Sequence, residues 1–445
     1  MRISIGTDAR AGVFGYGVEG RSTAAWLLAR GCRVVHVVSA GRPADLPEGA
    51  TWADETDPSA LDRLEVLFKS PGIKPSHPLL GDAAARGLEV TTATALFMDR
   101  ARRSGLAVIG VTGSKGKSTT ATLIHRTLQA AEVPTLLVGN IGRPALDVLD
   151  DAVSRRPVVV FEMSSYQTHD LAVGPSVAVI TRLFPEHLDW HGDAESYYAS
   201  KLRIAATQRH DDVTIWNAAD AELARRFPFG PARHIGYGGA SGYRFAGGAF
   251  RLDDAVLFDD AHMKLRGPHN RDNAAAALAA TSIFGASPEH VRTVLATFEG
   301  LPHRLEDLGF HGGVRWINDS ISTAPEAAVA ALEAFGPEVA TYVGGGTDRG
   351  FDFSPLARAL LDRRIDNVVL VPPDGARIRD AIAALDPTFA ARAQVVADLP
   401  AAVALAARLT PAGRTVLFSP ASPSYGSFRN FEERGEVLRT LVQKI

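Results

Sequence analysis

Residues 110–119 read GVTGSKGKST, directly behind the apolar run Leu106–Val111 and directly ahead of an amphipathic stretch that begins about Lys117. Strand, glycine-rich turn and helix in that order make a phosphate cradle. Gly113 and Gly116 let backbone N–H groups converge on an anion at a helix N-terminus, where the dipole favours negative charge. Lys117 is placed to neutralise β- and γ-phosphates, and the hydroxyl of Ser118 or Thr119 offers oxygen to a hard cation such as magnesium. Position 111 is Val, so the spacing is the shorter GxxGK[ST] rather than GxxxxGK[ST]. A strand-to-helix turn without nucleotide is the competing reading, and the lysine and hydroxyl pair argues against it.

Outward from this loop, short apolar runs alternate with amphipathic stretches: Ala11–Phe14, Arg33–Val38, Val66–Phe68, Val158–Phe161, Val177–Thr181, Val368–Val371 and Thr415–Ser419. That alternation predicts an α/β fold of parallel strands and crossover helices. Domains usually hold roughly 100–200 residues, so 445 residues imply two or three. Joints near Thr91–Thr94 and Leu301–His303 divide the chain into 1–92, 93–301 and 302–445. The glycine-rich segment from about Gly236 to Leu265 reads as antiparallel hairpins forming a small sheet within the central domain.

The 47 basic and 50 acidic residues are interspersed and give a net charge of −3, so no basic field draws in nucleic acid or membrane. One cysteine, Cys32, cannot form an internal disulfide. The amino terminus MRISIGTDARAG has no long apolar segment, and no run approaches the ~18 residues of a membrane helix. A cytoplasmic protein without membrane insertion, acting on small molecules, is expected.

A second glycine pattern, GYGVEG from Gly15 to Gly20, follows the run Ala11–Phe14 and opens a helix. A NAD site normally has an acidic residue at the end of the second strand, but here that strand runs into Ser39, Ala40 and Gly41. The diphosphate of another nucleotide is the favoured reading; an NADP site using Ser39 and Arg42, or a purely structural turn, are the alternatives. Glu162, at the end of Val158–Phe161, stands where a carboxylate reaches a magnesium held by the phosphate loop, although a helix-capping role fits the residue equally. His187, between Glu186 and Asp189, is a second candidate ligand, against the plainer reading of a solvated histidine. Lys201 is a candidate for carbamylation by carbon dioxide, since burial and nearby metal lower a lysine pKa from its ordinary ~10.4.

Taken together, these stretches resemble the Mur ligase family, in its glutamate-adding branch. The resemblance runs through GYGVEG, SPGIKPSHP from Ser70, GVTGSKGKST, GNIGRPALD from Gly139, EMSSYQ, HLDWHG, SKLRI, GPHNRDNAAAAL from Gly267, LPHRLE from Leu301, WINDS from Trp316, GGGTDRGFDF and SPASPSYGSFRNFEERG. It implies three domains: a Rossmann-like one for the UDP moiety, a central ATPase, and a C-terminal Rossmann-like one that closes over ATP and supplies the amino-acid site.

The resemblance further implies ATP and two magnesium ions as cofactors. By motif, Ser118 and Glu162 match ligands of one magnesium, and His187 and carbamylated Lys201 those of the second. Gly113, Ser114, Lys115, Gly116, Lys117, Ser118 and Thr119, with Asn270, Asn273, His303, Arg304 and Asp319, match contacts to ATP. Gly15, Val18, Ser39, Ser70, Gly72 and Asn140 match the UDP-sugar site, and Thr323, Arg349, Ser424 and Phe431 the glutamate site. The implied catalytic residues are Lys117, His187 and Lys201, and the implied partners are UDP-N-acetylmuramoyl-L-alanine, glutamate and ATP, acting on a monomer.

The chain departs from the family pattern where SKAT usually follows WIND: it reads Ser320, Ile321, Ser322, Thr323, an apolar residue in place of a cation. Ser422 and Pro423 likewise stand where cysteine and alanine are usual. D-glutamate is the family's usual substrate, but one branch adds L-glutamate, and a moved positive charge changes where two carboxylates can sit, so the L-adding branch is the reading taken; neutral drift at Ile321, with D-glutamate kept, is the alternative. A folylpolyglutamate synthase, which lacks the UDP domain, and a non-catalytic UDP-sugar-binding protein are the competing readings.

Overall fold

The computed structural model describes residues 9–445 except 58, 266 and 349. Three sheets organise the chain. The first, in the order β3-β2-β1-β4-β5, is parallel and comprises β1 (Arg10–Phe14), β2 (Val34–Ser39), β3 (Ala50–Asp54), β4 (Val66–Lys69) and β5 (Glu89–Thr91). Strand order reverses between β1 and β4, the place where ligands sit outside the carboxyl ends of a doubly wound sheet. The Gly15–Gly20 turn and the Ser70–Gly72 loop leave from those two ends.

The second sheet holds β6 (Val108–Thr112), β7 (Thr135–Gly139), β8 (Val158–Glu162), β9 (Val177–Ile180), β10 (Val213–Asn217), β11 (Arg233–Tyr237), β12 (Tyr243–Ala246), β13 (Ala249–Leu252) and β14 (Ala255–Asp259). Its order is β14-β13-β12-β11-β10-β9-β6-β8-β7. All five residues of β6 are buried, as expected of a central strand covered by helices on both faces. The Gly236–Leu265 segment does form antiparallel hairpins, but not a separate sheet. The single parallel pair Tyr237↔Tyr243 joins them edge-on to β11, so they prolong the central sheet.

The chain divides into two compact units. The first runs through Met263 and resumes over Pro268–Thr297; the second holds Lys264–Gly267 and Phe298–Ile445. The second unit carries the third sheet, order β15-β16-β20-β17-β18-β19, from β15 (Glu306–His311), β16 (Val314–Asn318), β17 (Val339–Gly345), β18 (Asn367–Val371), β19 (Ala393–Val395) and β20 (Thr415–Phe418). Only β15 is antiparallel within it.

Within the first unit the two sheets share one apolar core, which includes Val13 and Leu27 from the first and Leu149 and Phe161 from the second. The helix Ala93–Ser104 enters this core. Thr92 caps its start by accepting from the Ala95 N–H, and Gly105 ends it in the left-handed conformation, so it presents Leu96 and Phe97 inward. Phe97 meets Phe161 edge to face, ring centroids 5.4 Å apart.

Polar contacts stitch the same two sheets together. Ser22 Oγ donates to Asp147 (2.6 Å), Lys69 pairs with Asp170 (2.8 Å), Trp190 Nε1 donates to the Gly72 carbonyl (3.0 Å), and Gln167 Nε2 donates to Glu19. Glu19 pays for this position: burial pushes its carboxyl up to about 7, opposed only by the Gln167 hydrogen bond. Its native state therefore binds more protons than the unfolded chain, so the stabilisation from the neutral form is complete below the ordinary glutamate value and is lost as pH rises through about 7. In thermal melts, Glu19→Gln is expected to gain on the parent between about pH 5.5 and about pH 8. A melting-temperature difference independent of pH would contradict the burial of this carboxyl.

Candidate active site

Strand β6 ends between β8 and β9, and the phosphate loop must turn there without a side chain in the way. Gly113 has φ +145°, and a Cβ on it would lie 1.9 Å from Thr181 Oγ1; Gly116 has φ +92°, and a Cβ on it would lie 2.5 Å from Asn273 Oδ1. Both positions are closed to other residues by conformation and by space.

Neighbouring elements hold the turn. The Ser114 N–H donates to the Arg182 carbonyl (2.6 Å) and its hydroxyl to the Phe184 carbonyl (2.6 Å). Tyr197 Oη lies 2.9 Å from Ser114 Oγ, within hydrogen-bond reach. Thr181 Oγ1 reaches the Lys115 carbonyl (2.6 Å), and Asn273, packed under the loop, accepts from Thr120 (3.2 Å) and donates to Asn270 (3.0 Å). The helix Lys117–Ala130 starts at Gly116, with Ser118 and Thr119 buried in its first turn. Lys117 Nζ donates to the loop's own carbonyls at Gly113 (3.0 Å) and Ser114 (2.8 Å).

Lys117, Asn140, His187 and Lys201, singled out separately along the chain, line one cavity of about 240 Å³ together with Pro71, Ser164, Ser165, Tyr166 and Glu186. Lys201 is 2% exposed, on the helix Ala194–Ala206. Burial first, then the Lys117 charge, hold its amine well below the ordinary lysine value, against the pull of Glu186 and Glu162. Glu162 ends β8 and is buried at 2% exposure; the capping role belongs to Ser164, which closes a capping box with Gln167 on the helix Ser165–His169. His187 is exposed, in the left-handed region at φ +55°. Burial works against ionisation of Glu186, yet the Lys115 ammonium 2.9 Å away, joined by Lys117 and His187, holds the carboxyl below its ordinary value.

Sequence reading missed Tyr197, Thr181 and Tyr166. Tyr197 carried a usable signal, since it lies four residues before Lys201 on the same helix face, and its ring sits 5.0 Å from the Lys201 nitrogen. Thr181 is set by the register of β9 against β6, which no local pattern encodes.

At the first sheet, Ser70 Oγ donates to the Gly15 carbonyl (2.8 Å), tying together the two loops at the strand-order reversal, and Val18 stands 71% exposed beside them. Gly72 lines a second cavity of about 410 Å³ with Glu55, Ile73, Lys74, Ser76, His77 and Pro78. The Ser39 hydroxyl closes its own turn, donating to the Gly41 carbonyl (2.8 Å) and accepting from Trp52 Nε1 (3.1 Å).

The remaining predicted residues belong to the second unit, around the carboxyl ends of the adjacent strands β16, β20 and β17. Asp319 has both oxygens engaged, by the Leu305 N–H (3.1 Å), Ser322 Oγ (2.5 Å) and Ser419 Oγ (2.7 Å), and burial pushes its carboxyl up to about 6. It brackets three loops. His303, at φ +61°, contacts Asn318 Nδ2 through Nδ1 (3.0 Å); Arg304 and Thr323 are half-buried and Ser424 is buried. The Phe431 carbonyl accepts from Ser320 Oγ (2.8 Å). Arg349 lies outside the described residues. Arg434, which sequence reading passed over, is 3% exposed and donates to the Ser320 carbonyl (2.8 Å), the Ser422 carbonyl (2.9 Å) and Ser320 Oγ (3.1 Å). Burial draws it down to about 10.

A glycine-rich turn leaving a parallel strand, facing a buried lysine and Glu186 across a cavity, is the arrangement of a P-loop-type enzyme that handles a nucleotide. Comparison with known proteins carries this further. The Mur ligase middle domain matches residues 111–281, and the Mur ligase glutamate ligase domain matches residues 303–422. Over 100% of its length the chain is 39% identical to 99% of the UDP-N-acetylmuramoyl-L-alanine--L-glutamate ligase of Salinispora tropica. It is 34% identical over 98% of both chains to the UDP-N-acetylmuramoylalanine--D-glutamate ligase of Symbiobacterium thermophilum. The solved UDP-N-acetylmuramate-alanine ligase of Thermotoga maritima shares the fold at a TM-score of 0.63 and 19% identity, covering 98% of this chain and 99% of that one. The chain belongs to the Mur ligase family.

Gly113→Ala is expected to weaken ATP binding at least about tenfold, equivalent to about 1.4 kcal/mol, because either the loop or Thr181 must move. An unchanged dissociation constant by calorimetry would show that the close approach at Gly113 is not required.

Proposed function

We propose that this chain is an ATP-dependent, ADP-forming ligase that joins L-glutamate to UDP-N-acetylmuramoyl-L-alanine during peptidoglycan precursor synthesis in the cytoplasm. The observation that carries the reading is the cavity where Lys117, Glu186, His187 and the buried amine of Lys201 meet beside the phosphate loop. The names of full-length relatives at 36–40% identity support L-glutamate, and Ile321 in place of a lysine is consistent with it. Among the described residues no helix is long and apolar enough to cross a membrane.

A carboxylate is a poor acyl donor, since oxide does not leave. In the proposed reaction the alanyl carboxylate oxygen attacks the γ-phosphorus of ATP, ADP departs, and an acyl phosphate results. Lys117 offsets the repulsion between the approaching anions. The glutamate amine then attacks the acyl carbon, inorganic phosphate leaves, the nitrogen gives up a proton, and an amide remains. His187 borders the space where that tetrahedral centre forms.

Among the described residues no three His, Cys, Asp or Glu side chains gather closely enough to hold a metal by themselves. Magnesium suits such an incomplete set, because it is commonly held by one or two carboxylates plus substrate phosphates. Ser118 and Glu162 are the proposed residues for one ion, and His187 with carbamylated Lys201 for a second. Magnesium supplies charge neutralisation at the transferring phosphoryl group. Burial supports the carbamate: a neutral amine is the form that reacts with carbon dioxide, and Lys201 is held toward neutrality.

We assign 1–92 to the UDP-sugar, 93–301 to ATP turnover and 302–445 to the amino acid, on a monomer. Gly15, Val18, Ser39, Ser70, Gly72 and Asn140 are the proposed UDP-sugar contacts; Thr323, Arg349, Ser424 and Phe431 are those for glutamate. A folylpolyglutamate synthase reading leaves the first sheet and the cavity at Gly72 without a task.

Phosphate release measured with UDP-N-acetylmuramoyl-L-alanine, ATP and magnesium is expected with L-glutamate and at least about tenfold less with D-glutamate. Equal or greater turnover with the D form overturns the enantiomer, and silence with both overturns the ligase. Lys201→Ala is expected to lose at least about a hundredfold in kcat, with partial recovery on adding a short-chain carboxylic acid; full activity in the variant removes the carbamate.

A further inference from the structure

The two substrate loops of the first unit are joined by a hydrogen-bonded path only two side chains long. Gln167 is 1% exposed, and its amide orientation is set from one side: Oε1 accepts the Ser164 N–H (2.8 Å), so Nε2 faces away and needs an acceptor. Glu19 Oε1, on the other sheet's first helix, is that acceptor. Ser164, at the near end, lines the cavity with Lys117 and Lys201, two residues after Glu162. Glu19, at the far end, is the second residue of the helix Val18–Ala29, directly behind the Gly15–Gly17 turn.

Glu19 is an expensive choice at this point. Its Oε2 is sealed from solvent and meets no hydrogen-bond partner among the described residues, so a neutral amide, which still offers Gln167 an acceptor, would be desolvated there at lower cost. Holding the sheets together does not demand it either, since Ser22–Asp147, Lys69–Asp170 and Trp190–Gly72 already cross the same joint. What sets Glu19 apart is where its partner leads. Through Gln167 it bears on the backbone that carries Ser164 into the cavity. Before Ser164 that backbone is tied to its own sheet, the Asn140 N–H donating to the Glu162 carbonyl (3.1 Å), the Met163 N–H to the Val111 carbonyl (2.9 Å) and Thr112 Oγ1 to the Met163 carbonyl (2.9 Å); Gln167 ties it to the other sheet.

We infer that Glu19 and Gln167 act as a strut, positioning residues that hold the Gly15–Gly20 loop and the 162–166 loop in one register, so that a substrate anchored at the first presents its carboxylate in line at the second. This rests on the ligase reading, in which one substrate spans both loops. In-line transfer is steep in geometry, and a misplacement of about 1 Å costs on the order of a hundredfold. A register set by a buried hydrogen bond matters to kcat even where each substrate still binds.

The test varies Glu19, because changing Gln167 to an apolar residue would also break the capping box. Glu19→Leu keeps the packing and removes the acceptor; Glu19→Gln keeps an acceptor. In the full-length protein, Glu19→Leu is expected to lower kcat at least about tenfold while the dissociation constants for ATP and for the UDP-sugar stay within about twofold, and Glu19→Gln to stay within about threefold of the parent. Gln167→Glu alone sets two carboxylates together and is expected to lose turnover. Glu19→Gln combined with Gln167→Glu reverses donor and acceptor and is expected to recover it.

Parental kcat in Glu19→Leu, a loss that Glu19→Gln shares, or failure of the reversed pair to recover overturns the strut. Hydrogen exchange across 164–168 supplies a readout independent of catalysis: faster exchange in Glu19→Leu than in Glu19→Gln supports the strut, and equal exchange overturns it. Absence of phosphate release from the parent protein is a failure of the ligase reading instead, and leaves the exchange comparison to decide the strut.

Discussion

The close approach of strand β9 to the end of β6 governs the rest of the site. Thr181 crowds Gly113 so tightly that the chain turns there only because glycine carries no Cβ. The same Thr181 then bonds the Lys115 carbonyl on the far side of the turn. The next residues of its own loop, Arg182 and Phe184, fasten Ser114. One strand pairing thus decides how the glycine-rich loop turns, and it brings His187 and Glu186, a few residues further on, to the cavity.

Charge is arranged around that turn with unusual economy. Lys115, Lys117 and Lys201 approach Glu186 and Glu162, yet the three amines are not equivalent. Lys115 is half open and paired with Glu186, Lys117 bonds the loop's carbonyls, and Lys201 is buried with its amine held toward neutrality. What draws the Lys201 amine toward neutrality is desolvation first and the neighbouring Lys117 charge second. In the second unit Arg434 repeats the theme, a buried guanidinium whose donors are spent on the loops that follow β16 and β20.

Local patterns foretold most of the elements for physical reasons. Continuous apolar runs such as VIGVT and VVVFE only suit strands buried on both faces, and glycine turns followed by amphipathic stretches mark where those strands pass into helices. The hairpins after β11 were legible as hairpins. Their fusion with the central sheet was not, because it depends on a single backbone pair, Tyr237↔Tyr243. Ser39 and Asp319 were placed by family pattern, which says nothing of the bonds they make: Ser39 Oγ accepts from Trp52 Nε1, and Asp319 accepts from Ser419 Oγ, a hundred positions along the chain.

What the amino-acid sequence determined by itself was the chemistry on offer: a loop able to cradle phosphate, a second glycine turn, and a family pattern of carboxylate, histidine and lysine. Spacing and residue type carry that information because a turn's conformation and a side chain's donors are local properties. Only the tertiary structure decided which of these groups meet, that Lys201 loses its water, and that Glu19 touches Gln167 from another sheet. Burial and long-range hydrogen bonding are sums over neighbours that the chain brings together only on folding.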